Sequence, residues 1–393
     1  MNGWWRRWLL FCLLALLPLN SGCWNYRELD QLAIVAATGI DRDEERGMVK
    51  LTVQVIKPGQ VRTSGGEEGG TGGQAQQPVL IMESTGVSIF EAVRNFVLKN
   101  SRRMYWSHNQ VLIIGKKAAE DGVRPLLDFF LRDHEPRPTV WVLVADRDAA
   151  EIIRARGGLE KISGVEMGQL IEAQTAASKN MTVNLEQFIA RLMSKTTSAT
   201  APVITISHAQ REPRIQLDGT AVFQDDRLIG KLSLRETRGI LWVTGKVRSG
   251  VITVRAPGTG EKVGLEVIRA TGTINSKFLA GQPKVKIKIE VEGNLGCQMS
   301  QEDLAKPEML QSLSRRMAEA IRKEVYAAVD VAKQLRSDVF GFGEALYRSD
   351  PKRWKSLEPI WNSSMAKLPV EVDVRASVDR MGLITKPALF EES

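Results

Sequence analysis

The chain has 393 residues, 43% hydrophobic and 25% charged, with 54 Lys+Arg against 46 Asp+Glu for a formal charge of +8. At roughly 150 residues per domain this length predicts two or three domains, and the composition excludes wholesale disorder and a polytopic membrane protein. The basic excess permits attraction to anionic surfaces without indicating nucleic-acid binding. Three histidines and three cysteines, far apart in sequence, exclude Cys/His-rich metal chemistry.

At the N-terminus Arg6 and Arg7 precede an uncharged run, Trp8 to Leu19, of twelve residues. A membrane-crossing helix needs about 20 residues, so the run reads as the apolar core of a secretory signal peptide, closed by the small pair Ser21-Gly22. Cys23 comes next. Leu19-Asn20-Ser21-Gly22-Cys23 resembles a lipobox, with Asn20 standing where leucine is usual. That resemblance implies a diacylglyceryl group on the Cys23 thiol, cleavage in front of Cys23 and an acyl group (palmitate or similar) on the new amine. An uncleaved anchor and an ordinary cleaved signal are the other readings of the same run. Loss of residues 1–22 removes Arg6, Arg7 and Cys12, which leaves +6 and two cysteines. Cys297 then has no intramolecular partner and reads as a buried, inert packing residue, so the exported protein folds without a disulfide framework. Two acyl chains give the two membrane signals that stable anchoring needs.

Gln31 to Ile40 and Met48 to Lys57 read as strands around the polar turn 41–47, the second with Leu51, Val53 and Val55 on one face. Residues 58–78 contain seven glycines and almost nothing apolar, so they cannot bury enough surface to offset their ordering entropy and read as a flexible loop inside a domain. Ile89, Phe90, Val93, Phe96 and Val97 share one helical face, Val111 to Ile114 is a buried strand, and Leu126 to Leu131 belongs to a helix stopped by Arg132-Asp133 and Pro136. Thr139 to Ala145 is the next strand, and helices follow near 164–176 and 184–193. This alternation predicts an α/β layer with a covered sheet. The small, polar stretch Ser194 to Ala201, ending at Pro202, predicts a domain boundary.

Beyond it, Gln216 to Phe223 and Arg227 to Leu232 flank the Asp225-Asp226 turn as a hairpin, and Ser233 to Glu236 has the spacing of a capping box. Strands at 251–256, 263–274 and 284–291 follow. In the last, Val285, Ile287, Ile289 and Val291 alternate with Lys284, Lys286, Lys288 and Glu290, the pattern of an antiparallel strand wet on one face. A long helix carries Leu310, Leu313, Met317, Ile321, Val325, Ala328, Ala332 and Leu335 at helical spacing, with Arg315, Arg316, Arg322 and Lys323 opposite. A short helix near 351–361 and a strand at 370–378 complete a β-rich lobe with helices on one side. The expected organisation is a signal peptide (1–22), an N-terminal α/β region (23–201) containing the loop 58–78, and a C-terminal β-rich α+β region (202–393) that could divide again near residue 245.

Catalytic motifs fail one by one. The glycine-rich loop lacks a following Gly-Lys-Ser/Thr, no Gly-x-Ser-x-Gly elbow accompanies Ser107-His108, and His134-Glu135 is broken by Pro136 and Pro138 with no second histidine four residues on. Gly341-Phe342-Gly343 lacks the third glycine of a dinucleotide fingerprint and reads as a tight turn with Phe340 and Phe342 as anchors. No catalytic residue, cofactor or metal is assigned.

Ordered segments along nearly the whole mature chain nevertheless resemble one family. They are Gly22-Cys23-Trp24-Asn25-Tyr26-Arg27-Glu28, Ser101-Arg102, Ser107-His108-Asn109-Gln110-Val111 with Ile113-Ile114-Gly115, and Leu127 to Asp133. In the second half they are Ala221-Val222-Phe223, Leu228-Ile229-Gly230, Glu236-Thr237-Arg238-Gly239, Asp338 to Gly343, Tyr347-Arg348 and Pro351 to Trp354. The pattern is similar to the Ger(x)C family, the lipoprotein C subunits of nutrient germinant receptors in endospore-forming bacteria. The resemblance implies a multi-domain mixed α/β fold and a non-enzymatic protein anchored by acylated Cys23 on the outer face of the inner membrane. It also implies partnership with the A and B membrane subunits of the receptor and a role in nutrient-triggered germination. Arg27, His108, Arg132 and Asp133 are candidate partner-contact or structural residues, chosen on polar character and motif membership. The alternative function is a tethered solute-binding lipoprotein that hands a nutrient to a transporter, which requires two similar lobes with parallel sheets and a ligand in the hinge.

Overall fold

A computed structural model describes residues 4–8, 28–61, 78–155, 158–209 and 212–381. Cys23, Arg27, the expected cleavage site and most of the glycine-rich loop lie outside the described residues. The chain is a mixed α/β protein with two mixed sheets and flanking helices.

The first sheet begins with the antiparallel strands β1 (Leu32–Asp43) and β2 (Met48–Ile56), then β3 (Val79–Gly86) on the edge. Helix α1 (Ile89–Asn95), capped by Ser88 Oγ accepting from Glu91 N, runs into a 3-10 turn, Phe96–Leu98. Strands β4 (Arg103–Tyr105) and β5 (Val111–Ile114) both lie parallel to β1. Helices α2 (Lys116–Asp121) and α3 (Arg124–Arg132) lead to β6 (Trp141–Ala145). Next come α4 (Ala149–Arg154), α5 (Ser163–Ala177) and α6 (Leu185–Leu192), then the antiparallel run β7 (Thr200–Ser207), β8 (Arg214–Gln224) and β9 (Arg227–Leu232). The order is β3-β2-β1-β5-β6-β7-β8-β9, with β4 beside β1.

Helices cover both faces of this sheet, the covered α/β layer that the alternation of strands and helices predicts. Along β5, Val111 and Ile113 pack with Ile152 and Ile153 of α4 and Met167 and Ile171 of α5, while Leu112 and Ile114 pack with the cluster that contains α1, α3 and α6. A strand buried on both faces reads as a continuous apolar run, which is what Val-Leu-Ile-Ile shows.

Helix α7 (Leu234–Val243) starts on a complete capping box between Ser233 and Glu236. The second sheet is β10 (Val251–Arg255), β11 (Lys262–Leu279), β12 (Gln282–Gln298) and β13 (Val370–Met381), in that order. The β11–β12 hairpin is far longer than the alternating segment suggests, and it closes on Ala280 and Gly281 at φ 49° and 79°. Both residues are left-handed, as a twist-compatible two-residue turn requires. Between β12 and its parallel neighbour β13 lie α8 (Pro307–Gln334), α9 (Phe342–Ser349), α10 (Pro351–Leu357) and α11 (Trp361–Met365). Here the one-sided arrangement is found: Leu313, Met317, Ile321 and Val325 of α8 share a core with Val285, Ile287, Ile289 and Val291 of β12, whose alternate residues are half-buried or exposed.

Residues 200–207, which begin at the end of the stretch Ser194 to Pro202, form β7 inside the first sheet, paired with β6 and β8. The sheets part between Leu232 and Val251, and one apolar cluster runs across that gap through Ile240, Leu241 and Trp242 of α7. The sheets differ in strand number and order, unlike the matched lobes of a hinge-type solute receptor. Cys297, expected to be buried, is exposed near the end of β12, beyond the stretch where alternation buries every second residue.

Candidate functional site

His108, Arg132 and Asp133 fall on two neighbouring loops and the helix end between them. Trp106 is buried edge-on against Phe129 and Phe130, with ring centroids 6.0 and 6.2 Å apart, and this anchors the β4–β5 turn to α3. Ser107 Oγ donates to Glu135 O at 3.0 Å, and Arg103 Nη2 meets Glu135 Oε1 at 2.8 Å. Asp133 ends α3: its N–H donates to Phe129 O at 3.0 Å, and its Oδ1 accepts from Glu135 N at 2.9 Å. Glu135, which sequence reasoning passed over, is therefore the staple between the loops. A broken zinc motif gave no sign of that role.

His108 is exposed, its ring centroid 5.8 Å from that of Tyr105. Arg132 is exposed on α3 and paired with Asp128 at 2.8 Å. Arg132 and Asp133 meet in a shallow groove of about 470 Å³, lined also by Ser88, Ile89, Phe90, Pro125, Asp128 and Phe129. His108 does not line it. Asn109, buried beside His108, has an Oδ1 without a hydrogen-bond donor among the described residues. The groove offers an apolar floor and a charged rim. Among the described residues no three His, Cys, Asp or Glu side chains converge as metal ligands.

Two further motifs act at the junction of the sheets. Asp338 is buried; its Oδ1 accepts from Phe340, Gly341 and Phe342 N at 3.2, 2.9 and 3.1 Å, and its Oδ2 accepts from Gly343 N at 2.7 Å. Burial pushes this carboxyl above its ordinary range, opposed by the four amides. Asp338 O accepts from Ser198 N at 2.8 Å, and Arg191 Nη1 donates to Val339 O at 3.2 Å, so the nest ties α6 and the following segment to α9. Burial lowers the pKa of Arg191, with Asp338 opposing, and lowers that of Lys246, where Arg191 adds to the effect. Gly341 sits at φ 89°, and Phe340 stacks on Phe342 at 4.7 Å, so the turn and the anchors form as expected.

Glu324 of α8 makes the second junction. Its Oε2 accepts from Arg238 Nε at 2.8 Å and from Trp242 Nε1 at 2.9 Å, and its Oε1 pairs with Arg238 Nη2. Gly239 lets α7 lie directly on α8, because a Cβ there would stand 2.4 Å from Glu324 O. The segments Glu236 to Gly239 and Asp338 to Gly343 thus have structural roles, a helix crossing and a helix cap.

No described helix is long and apolar enough to cross a membrane. Comparison with known proteins matches two family models in succession along the chain. Residues 25–206 match a family model described as the spore germination protein N-terminal domain, and residues 218–382 match one described as spore germination B3/GerAC-like, C-terminal. The chain is 30% identical to spore germination protein KC of Bacillus subtilis, covering 96% of this chain and 97% of the relative. It is 22% identical to spore germination protein B3 of the same organism, covering 96% and 98%. In fold it resembles the crystal structure of the GerBC protein, with a TM-score of 0.58 at 18% identity over 87% of this chain and 96% of that one. End-to-end similarity of this kind, with both halves matched, means that the chain belongs to the Ger(x)C family, the C-subunit family of spore germination proteins.

Proposed function

We propose that this chain is the lipid-anchored C subunit of a nutrient germinant receptor, held on the outer face of the spore inner membrane and working with the A and B membrane subunits. The observation that carries the reading is the match over 96% of the chain to a protein named for spore germination. The lipobox-like sequence Leu19-Asn20-Ser21-Gly22-Cys23 supports the anchor, since acylation there would supply the two chains that stable attachment needs. The stapled loops bearing His108 and Asp133, and the groove bearing Arg132, are the proposed contact face for the other subunits. Its role is to assemble and hold a complex rather than to catalyse a reaction.

The test is germination of spores carrying the intact gene, a deletion, or Cys23→Ala, each exposed to nutrients and to the calcium chelate of dipicolinic acid as a receptor-independent trigger. Loss of a nutrient response with the chelate response intact supports the reading, and the Cys23→Ala strain reports whether the tether is required. A full nutrient response after deletion, in a strain lacking other receptors, refutes it.

A further inference from the structure

One end of the first sheet combines exposed apolar and cationic side chains. Val97 and Leu98, in the turn after α1, are 67% and 82% exposed. Between residues 28 and 381 they are the one described pair of consecutive large apolar side chains both more than half exposed. Leu80, 44% exposed, lies in a groove with Lys57 and the loop Asn100–Arg102 at the same end. None of Lys57, Lys99 and Arg102 forms an ion pair among the described residues; the Lys99 ammonium donates to Glu83 O at 3.0 Å. A solvated helix end accounts for lysine and arginine here but not for leucine and valine beside them.

The start of β1 lies at this end. Leu32 pairs with Arg103, and Ala33 lines the groove that holds Leu80 and Arg102. Cys23 is nine residues before Leu32. A chain extends by at most about 3.5 Å per residue, so these nine reach no further than about 30 Å. Resting on the proposal that Cys23 is acylated, this keeps the start of β1 within about 30 Å of the bilayer, so that the patch beside it can be turned onto the headgroups. Acidic Glu28 and Asp30 also stand near the start of β1, so the apolar pair is needed for net attraction.

We infer that this end of the sheet is a membrane-contact surface, with Val97 and Leu98 entering the interface of an anionic phospholipid bilayer and Lys57, Lys99 and Arg102 lying among its phosphates. The contact would fix which face the tethered protein turns to the membrane and which it leaves for other subunits. Each cation adds an attraction that salt screens, and the apolar pair adds one that salt does not.

The test uses the mature chain from residue 23 with Cys23→Ala, so that no acyl chain contributes, sedimented with vesicles of phosphatidylglycerol or of phosphatidylcholine. The expected result is binding to the anionic vesicles, reduced by salt. Lys99→Gln with Arg102→Gln weakens binding about 25-fold, about fivefold per cation. Leu98→Ser weakens it about tenfold. Lys116→Gln with Lys117→Gln, an equal charge change at the opposite end of the sheet, leaves it unchanged, and thermal melting confirms that each variant is folded. Three outcomes overturn the inference: no binding of the unsubstituted surface, equal losses from the two lysine and arginine pairs, or retention only on membranes that contain the A and B subunits. Mass analysis of the exported Cys23 peptide tests the tether separately. An unacylated Cys23 with vesicle binding intact removes the anchor and leaves the surface standing.

Discussion

Gly239→Ala sets helix propensity against packing. Propensity alone predicts a gain of about 1 kcal/mol for Gly→Ala inside a helix. The structure predicts the opposite sign, because the new Cβ would stand 2.4 Å from the backbone oxygen of Glu324 and 2.6 Å from Ala328 Cβ, neither of which can move without shifting α8. Relieving that overlap forces α7 and α8 apart, at a cost of about 1–3 kcal/mol. Separation also stretches the 2.8 and 2.9 Å bonds by which Arg238 and Trp242 reach Glu324, which adds about 1–2 kcal/mol. Set against the propensity gain, the net loss is about 1–4 kcal/mol, a fall in Tm of at least about 2 °C at about 2–4 °C per kcal/mol. Gly168→Ala in α5 is the matched control: its Cβ would meet nothing closer than Gln110 Cβ at 3.5 Å, so it is expected to raise stability by about 1 kcal/mol. Thermal and urea unfolding of both variants, followed by circular dichroism, decide between the two effects. If Gly239→Ala is neutral or stabilising, the close α7–α8 crossing is wrong.

Arg238→Ala leaves the Glu324 carboxylate buried with Trp242 Nε1 as its remaining partner. Urea unfolding is expected to show a loss of about 3–5 kcal/mol, and a loss under 1 would mean that the pair is solvated. Asp338→Asn turns one acceptor into a donor facing the amides of the nest; about 2 kcal/mol of stability is expected to go, and amide exchange should quicken at Gly341 to Gly343. Glu371 is held below its ordinary pKa by its hydrogen bonds from Lys286 and Lys284. A depressed folded pKa gives stability that is present above the unfolded value and lost as pH falls through the folded one. The stability difference between the unsubstituted chain and Glu371→Gln should therefore shrink on acidification below about pH 4.3, and in 1 M salt at pH 7. A difference that grows in acid would contradict the pairing.

Much of the local structure was legible in the sequence because its causes are local. Ser233 and Glu236 announced the start of α7, and Asp225, at φ 53°, makes the turn that Asp-Asp suggested. The Lys/Val/Ile alternation of β12 marked one wet face, and the uninterrupted Val111 to Ile114 run marked a strand covered on both. His108, Arg132 and Asp133 were found as polar motif members, but the residue that unites their loops, Glu135, sat inside a sequence read as a failed zinc motif.

Tertiary structure decided the rest, through contacts between residues far apart in the chain. The stretch 194–201 looks like a linker because it is small and polar, yet Ser194 Oγ accepts from Thr196 and Thr197 N, Ser198 N is bound by Asp338 O, and the chain passes directly into β7. Strand β3 carries no strict alternation, and its place comes from pairing with β2 across the glycine-rich segment. Glu324 falls among the apolar positions of an amphipathic helix, and only Arg238 and Trp242, more than eighty residues away, explain how a charge is kept there. Periodicity and capping depend on neighbours within a few residues and were fixed by the sequence itself. Sheet order, two-sided cover and the partners of buried charges depend on which distant segments meet, and the fold alone settles that.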